Sequence, residues 1–167
     1  MGAIAVTNAF LPLIEKGTQK KVVNISSAAG DSEFIEKFGY MTAVPYGISK
    51  AALNLINTKY AIEFRGKGYT FLAISPGFVD TRVARKSVLP RAPRIRLANV
   101  PLRLVGTVEQ EAGRDAVIRM FKAGDPDWSG VPLLPRQSAD LVLGVIDRAT
   151  PEESGRFVSQ YGDRRWL

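Results

Sequence analysis

The sequence predicts an α/β fold in which about three parallel strands are flanked by helices. Three observations carry this expectation. Residues 20–27 and 69–75 are short apolar runs rich in β-branched side chains, the signature of buried strands. A long stretch of helical periodicity separates them. Further helical segments and a last strand-like run follow, an alternation typical of a parallel sheet joined by helical crossovers.

Residues 3–13 are apolar nearly all round and read as a helix buried on more than one side, closed by Pro12 and then Gly17. Residues 20–27 form the first strand. Ala28, Ala29 and Gly30 turn the chain, and residues 31–44 read as a long irregular connection. Pro45 suits the first turn of a helix running to about Arg65, ended by Gly66 and Gly68. Its apolar positions fall in two stripes, Ile48/Ala52/Leu55/Ile62 and Leu53/Ile56/Tyr60/Phe64, as expected of a helix lying between a sheet and another helix. The second strand, 69–75, stops at Pro76 and Gly77. Residues 82–106 are rich in Pro and Arg and read as irregular. Thr107 and Gln110 have capping-box spacing ahead of a helix to about Lys122. A further helix spans 135–149 with Leu141, Val145 and Ile146 inward, and 156–161 reads as a third, short strand.

Composition narrows the chemistry. With 46% apolar and 23% charged residues, the 167-residue chain reads as one globular domain over its whole length, 1–167. No apolar run approaches the ~18 residues of a membrane span. No cationic segment precedes the apolar residues 1–14 and no small-residue cleavage site follows Leu13, so no signal peptide is expected. The absence of cysteine excludes disulfides and thiolate chemistry and suits a cytoplasmic setting. The absence of histidine removes Ser-His-Asp catalysis and imidazole-held metals, and no metal site is expected. Proton transfer near neutral pH must then use Tyr, Lys, Asp or Glu in a perturbing environment.

Tyr46 and Lys50 stand four residues apart, hence on one helical face, one turn from each other. A free phenol titrates near pH ~10. A cation within ~4–6 Å favours the phenolate by roughly 1–3 pH units, bringing tyrosine towards acid/base use near neutrality. Ser26 and Ser27 end the first strand, and ligands of open parallel sheets bind beyond the carboxyl ends of strands. The segment Pro76-Gly77-Phe78-Val79-Asp80-Thr81 leaves the second strand at the same rim, where its backbone and the Thr81 hydroxyl could meet a polar ligand. Taken singly, each feature has a plain alternative: a helix-surface pair for Tyr46/Lys50, a turn hydroxyl for Ser27, a cap for Thr81.

Taken in order they carry a resemblance. Val22-Val23-Asn24-Ile25-Ser26-Ser27 followed by Ala-Ala-Gly, then Tyr46-x-x-x-Lys50-Ala51-Ala52, then Ser75-Pro76-Gly77-x-x-x-Thr81, resembles the short-chain dehydrogenase/reductase pattern. The resemblance covers residues 1–81 well, and Gly155-Arg156-Phe157 suits the family's last strand. It implies a partial Rossmann-like fold containing the last three strands of the family sheet. It also implies NAD(P)-dependent ketone reduction or secondary-alcohol oxidation on a small organic substrate. In that scheme Tyr46 exchanges the proton with the substrate oxygen. Lys50 lowers the tyrosine pKa and holds the nicotinamide ribose, and Ser27 orients the carbonyl. Pro76, Gly77, Val79 and Thr81 touch the cofactor beside Tyr46 and Lys50.

Two departures from the family pattern stand out. Nineteen positions separate Ser27 from Tyr46, more than is common, so residues 31–44 read as an insertion lining the substrate pocket. No Gly-rich strand–helix turn for a pyrophosphate occurs, and residues 2–13 resemble the family's fourth helix. The chain therefore reads as a truncated member, inactive alone if the cofactor half is missing, with a bare sheet edge along 22–27. NAD and NADP cannot be told apart, because the residues that distinguish them lie in that half.

The stretch 81–108 holds Arg82, Arg85, Lys86, Arg91, Arg94, Arg96 and Arg103 and no acid, and supplies much of the net charge of +7. It occupies the place of the family's variable substrate lid and reads as a solvated lid rather than a nucleic-acid surface, since it lacks interleaved aromatics. The helices 3–14 and 45–65 are candidate surfaces for a homo-oligomer. The alternative to an enzyme is a non-catalytic remnant acting as an interaction or oligomerisation module.

Overall fold

The computed structural model describes residues 2–82 and 108–167. The expected lid and the Thr107 end of the capping box lie outside the described residues. In chain order the elements are α1 (Gly2–Ile14), β1 (Lys21–Ile25), α2 (Ser32–Phe38), α3 (Val44–Glu63), β2 (Thr70–Ile74), α4 (Val108–Gly124), α5 (Pro135–Arg148) and β3 (Phe157–Val158). Short 3-10 turns occupy Ala28–Gly30 and Pro151–Glu153.

The three strands form one parallel sheet in the order β1-β2-β3. β2 is central and buried along its whole length, with Phe71, Ala73 and Ile74 fully enclosed. Alternation along the strands sends side chains to opposite faces. Phe71 and Val22 face one way and pack with Ala61, Tyr60 and Phe64 of the α3 region and with Leu11 and Ile14 of α1. Leu72, Ile74 and Val23 face the other way, onto Val142, Val145 and Ile146 of α5. Lys21 reaches across to this helix and donates to the Ile146 and Asp147 carbonyls at 2.8 and 3.0 Å, capping its C-terminal end. A third cluster, beyond the carboxyl ends of the strands, joins Phe34 and Phe38 of α2 to Phe121 of α4 and to Trp166.

Four sequence expectations are corrected. Pro12 lies inside α1 rather than closing it, and Thr7 is that helix's one buried residue, with Val6, Phe10 and Leu13 more than half exposed. α1 touches the rest of the fold along one side only, where Tyr60 Oη donates to Asn8 Oδ1 at 2.5 Å. Of the two stripes on α3, the one containing Leu53, Ile56, Tyr60 and Phe64 is the more buried. Ile48, Leu55 and Ile62 are exposed, because no second helix covers them among the described residues. Residues 31–44 are not irregular throughout. Asp31 accepts from the Phe34 amide at 2.9 Å and caps α2, and Gly39 ends the helix in the left-handed conformation. The Phe34/Phe38 pair, one turn apart, drives its packing. Finally, β3 is only two residues long. The chain turns at once through Ser159–Gly162, with the Gly162 amide donating to the Ser159 carbonyl at 2.9 Å.

Among the described residues β1 pairs only with β2, and its burial is intermediate from Lys21 to Asn24 and gives way to half exposure at Ile25. The bare edge expected along 22–27 is therefore present among the described residues.

Under the sheet, α3 presents a polar inner face. Asn57 is fully buried, accepts from Asn24 Nδ2 of β1 at 3.2 Å, and directs its own Nδ2 to the Phe71 and Arg156 carbonyls at 3.4 Å. One amide thus ties together β1, β2 and the approach to β3. Replacing it strands buried polar partners, which costs more than the bonds themselves contribute. Asn57→Ala is expected to destabilise the chain by about 1–3 kcal/mol, measured by urea denaturation with an unchanged slope.

Candidate active site

The carboxyl ends of β1 and β2 and the start of α3 converge because the backbone there has no side chains in the way. A Cβ on Gly47 would sit 2.7 Å from the Ala29 carbonyl oxygen, and one on Gly30 would sit 2.6 Å from the Ala51 nitrogen. The 3-10 turn after Ser27 is thus packed backbone to backbone against the first turns of α3. That contact sets Ser27 beside Tyr46, and both line one cleft of about 160 Å³ together with Ser75, Gly77 and Phe78.

The two adjacent serines are separated by their surroundings. Ser26 is buried and donates to Asn54 Oδ1 at 2.5 Å, so its hydroxyl is consumed by α3. Ser27 is half-buried, in extended conformation, and its Oγ accepts from the Ala29 amide at 3.2 Å. Accepting through one lone pair leaves its proton available to a ligand oxygen in the cleft. Ser75 Oγ accepts from the Ala28 amide at 3.2 Å and binds the end of β2 to the same turn.

Lys50 lies below the cleft rather than in its lining. Its Nζ donates to the Ile25 carbonyl at 2.8 Å and stands over the Tyr46 ring, 5.5 Å from the centroid. Tyr46 itself is about half exposed.

The Pro-Gly segment is only partly in the cleft. Gly77 has φ +83°, a conformation that disfavours a side chain, and a Cβ there would meet the Gln160 amide at 2.8 Å. The Pro76 carbonyl accepts from Ser138 Oγ at 2.7 Å. Val79 forms an isolated parallel bridge with Leu133, flanked by Leu133 N–H to the Phe78 carbonyl and Asp80 N–H to the Leu133 carbonyl, both 2.9 Å. Thr81 is exposed. Pro76, Val79 and Thr81 are not among the cleft's lining residues, whereas Ser27, Tyr46 and Gly77 are.

Sequence reasoning placed residues 31–44 at the pocket but, Tyr46 apart, singled out no aromatic residue of the cleft wall. Phe34, Tyr40, Phe121 and Trp166 line it, with Trp166 and Leu167 arriving from the far end of the chain. The spacing of Phe34 and Phe38 ahead of Gly39 was a usable signal for the α2 contribution. No local pattern marks Trp166.

Comparison with known proteins matches the chain to a family. The profile described as short chain dehydrogenase matches residues 1–91. The chain belongs to the short-chain dehydrogenase family. It is 38% identical over its whole length to the short-chain dehydrogenase/reductase atnB of Arthrinium sp, of which it covers 55%. It is 36% identical to the short-chain dehydrogenase/reductase AacuF of Aspergillus aculeatus, covering 56% of that protein. Among solved structures, an NADPH-bound carbonyl reductase from chicken fatty liver superposes with TM-score 0.61 at 23% identity, over 96% of this chain and 50% of that one. The fold is thus that of the family, a partial Rossmann-like sheet, and the short-chain dehydrogenase chain spans about half the length of the curated relatives it matches. Among the described residues, no helix is long and apolar enough to cross a membrane.

Asp80, at the edge of the site, is the anchor of the Pro-Gly segment. Its carboxylate accepts from the Arg82 Nε, Nη2 and backbone N–H at 2.9–3.1 Å, and Arg114 Nη2 lies 3.4 Å away. The Arg82 hydrogen bonds hold its pKa down at about 2, against the opposing effect of burial. A folded-state pKa below the unfolded value of ~3.9 stabilises the fold above that pH and loses the contribution as pH falls towards 2. Asp80→Asn is therefore expected to lower stability by about 1–2 kcal/mol at neutral pH. The gap to the native chain should close between pH ~4 and ~2, as followed by thermal melts across that range.

Proposed function

We propose that this chain carries the proton-transfer end of an NAD(P)-dependent short-chain dehydrogenase, reducing a ketone or oxidising a secondary alcohol on a small organic substrate. The observation behind this reading is that Ser27 and Tyr46 line one cleft while the Lys50 ammonium stands against the Tyr46 ring. The Ser27 hydroxyl, oriented by the Ala29 amide, donates to the substrate oxygen. Tyr46 donates its phenolic proton to that oxygen in reduction and recovers it in oxidation. Lys50 holds the tyrosine in register through its bond to the Ile25 carbonyl.

The donor set at Lys50 fits the ribose end of a nicotinamide cofactor. An ammonium has three donors; one goes to Ile25, leaving others for ribose hydroxyls. Tyr46 would add its phenolic oxygen to that donor set. Gly77 lies at the cleft, and Pro76, Val79 and Thr81 follow the same strand end. These residues would hold the nicotinamide portion, NAD or NADP, and the cofactor supplies the hydride. The sequence contains no Gly-rich turn for the diphosphate. In this reading residues 1–167 form one catalytic domain, and 82–106 serve as its substrate lid.

Binding of NADPH or NADH titrated into the purified chain, read by nicotinamide fluorescence, together with ketone turnover, supports this reading. Tyr46→Phe should leave that binding intact and lower turnover by at least ~10²-fold. Absence of cofactor binding by the native chain would refute activity for this chain.

A second reading, an interaction or homo-oligomerisation module, is favoured by the exposed apolar side chains of α1 and α3 and by the open edge of β1. Val6, Phe10 and Leu13 on α1, with Leu55 and Ile62 on α3, are all more than half exposed. In this reading α1 and α3 supply the contact between copies. Sedimentation at low concentration should then show a dimer or larger species that Phe10→Glu with Leu55→Glu converts to monomer. A native monomer under those conditions dismisses the module.

A further inference from the structure

The cleft lined by Ser27 and Tyr46 is bounded on its inner side by rings. Phe34, Tyr40, Phe78, Phe121 and Trp166 form most of that wall, and among the described residues no charged side chain lines the cleft. The rings are mutually packed. Phe34 meets Phe121 at 5.5 Å and Trp166 at 6.3 Å between centroids, both edge-on, and Phe78 meets Phe121 edge-on at 5.3 Å. The polar side-chain groups the cleft offers are hydroxyls, those of Ser27, Ser75, Tyr40 and Tyr46. A carboxylate or phosphate entering here would shed water against rings, with the Lys50 ammonium outside the lining and already bonded to the Ile25 carbonyl. A flat apolar body bearing one carbonyl meets rings on its faces and hydroxyls at its oxygen.

The Trp166 side of this wall is held from outside the cleft. Arg164 Nη2 donates to Asp31 Oδ2 and to Glu33 Oε2, both at 2.8 Å, and its guanidinium lies over the Trp166 ring, 5.2 Å from the centroid. Asp31 is the residue that caps α2, and its side chain is only 11% exposed against 79% for Glu33, so the Asp31 arm is the better shielded of the two. One guanidinium therefore clamps the segment that follows Ser27 to the segment that carries Trp166. Neither segment adjoins the other in sequence.

We infer that the cleft takes an uncharged aromatic carbonyl compound, with Trp166 as a specificity-determining wall and Arg164 as the residue that positions it. The inference rests on the reading that Ser27 and Tyr46 face the substrate. Arg164 acts through Trp166 and the α2 cap, without contacting the ligand.

Calorimetric titration of the full chain tests it, with 1-tetralone as the aromatic probe, cyclohexanone as the uncharged non-aromatic one and pyruvate as the charged one. The native chain should bind 1-tetralone about tenfold more tightly than cyclohexanone and give no saturable heat with pyruvate. Trp166→Ala should weaken 1-tetralone about tenfold. Trp166 is also a core residue, so Arg164→Gln, at a half-exposed position, carries the test if that variant does not fold. It should weaken 1-tetralone about fivefold with little change in cyclohexanone affinity, and Arg164→Lys, which retains the charge, should restore part of the loss. Binding of 1-tetralone no tighter than cyclohexanone, or unchanged in Arg164→Gln, overturns the inference. Tight 1-tetralone binding that Tyr46→Phe leaves intact, but without NADPH-dependent turnover in the native chain, would defeat the dehydrogenase reading and leave the inference standing.

Discussion

Every functional relation in this molecule passes through one close contact, the 3-10 turn Ala28–Gly30 lying against the first turns of α3. Gly30 and Gly47 allow it, since a methyl group at either would overlap backbone atoms of the other segment. Backbone does not yield to a clash as a flexible side chain does, so the separation of the two segments is held within narrow limits. The Lys50 bond to Ile25 and the Ser26 bond to Asn54 then lock the same junction from below. Ser27 and Tyr46, nineteen positions apart in the chain, become neighbours on one cleft as a result.

Around that junction the fold is unevenly finished. β2 is enclosed on both faces and both edges, with aromatic packing on one side and aliphatic packing on the other. β1 has one paired edge and partial burial, and α1 and α3 expose large apolar side chains. The well-packed strand is therefore β2, and the candidate site lies beyond its carboxyl end and that of β1. The polar ladder of Asn24, Asn57 and Asn54 runs beneath the same region and gives α3 a specific seat on the strands. Apolar packing alone would not discriminate between neighbouring registers so sharply.

The insertion between Ser27 and Tyr46 shows how composition and position diverge. Read as a loop it had no role beyond lining a pocket. Folded, it supplies a cap at Asp31, two buried phenylalanines, and through Asp31 and Glu33 the anchor for Arg164. The helix was legible in principle, because Asp31, the Phe34/Phe38 pair and Gly39 are local signals. The Pro-Gly segment divides differently. Gly77 reaches the cleft, while Val79 is drawn into a bridge with Leu133 and Thr81 is exposed.

Residue order alone established the family pattern and the parallel α/β class, and pointed to the strand ends as the candidate site. Those properties follow from local periodicity and from motifs that keep their meaning wherever they sit, such as a tyrosine and lysine one helical turn apart. The engagement of Ser26 by α3, the exposure of one α3 stripe and the arrival of Trp166 at the cleft belong to the folded molecule. Each depends on which distant segment supplies the neighbouring atoms: Asn54 consumes one hydroxyl, an uncovered helix face leaves Leu55 in water, and Arg164 ties the tail to α2. Such pairings join residues separated by up to 133 positions, and no periodicity in a single strand or helix encodes them.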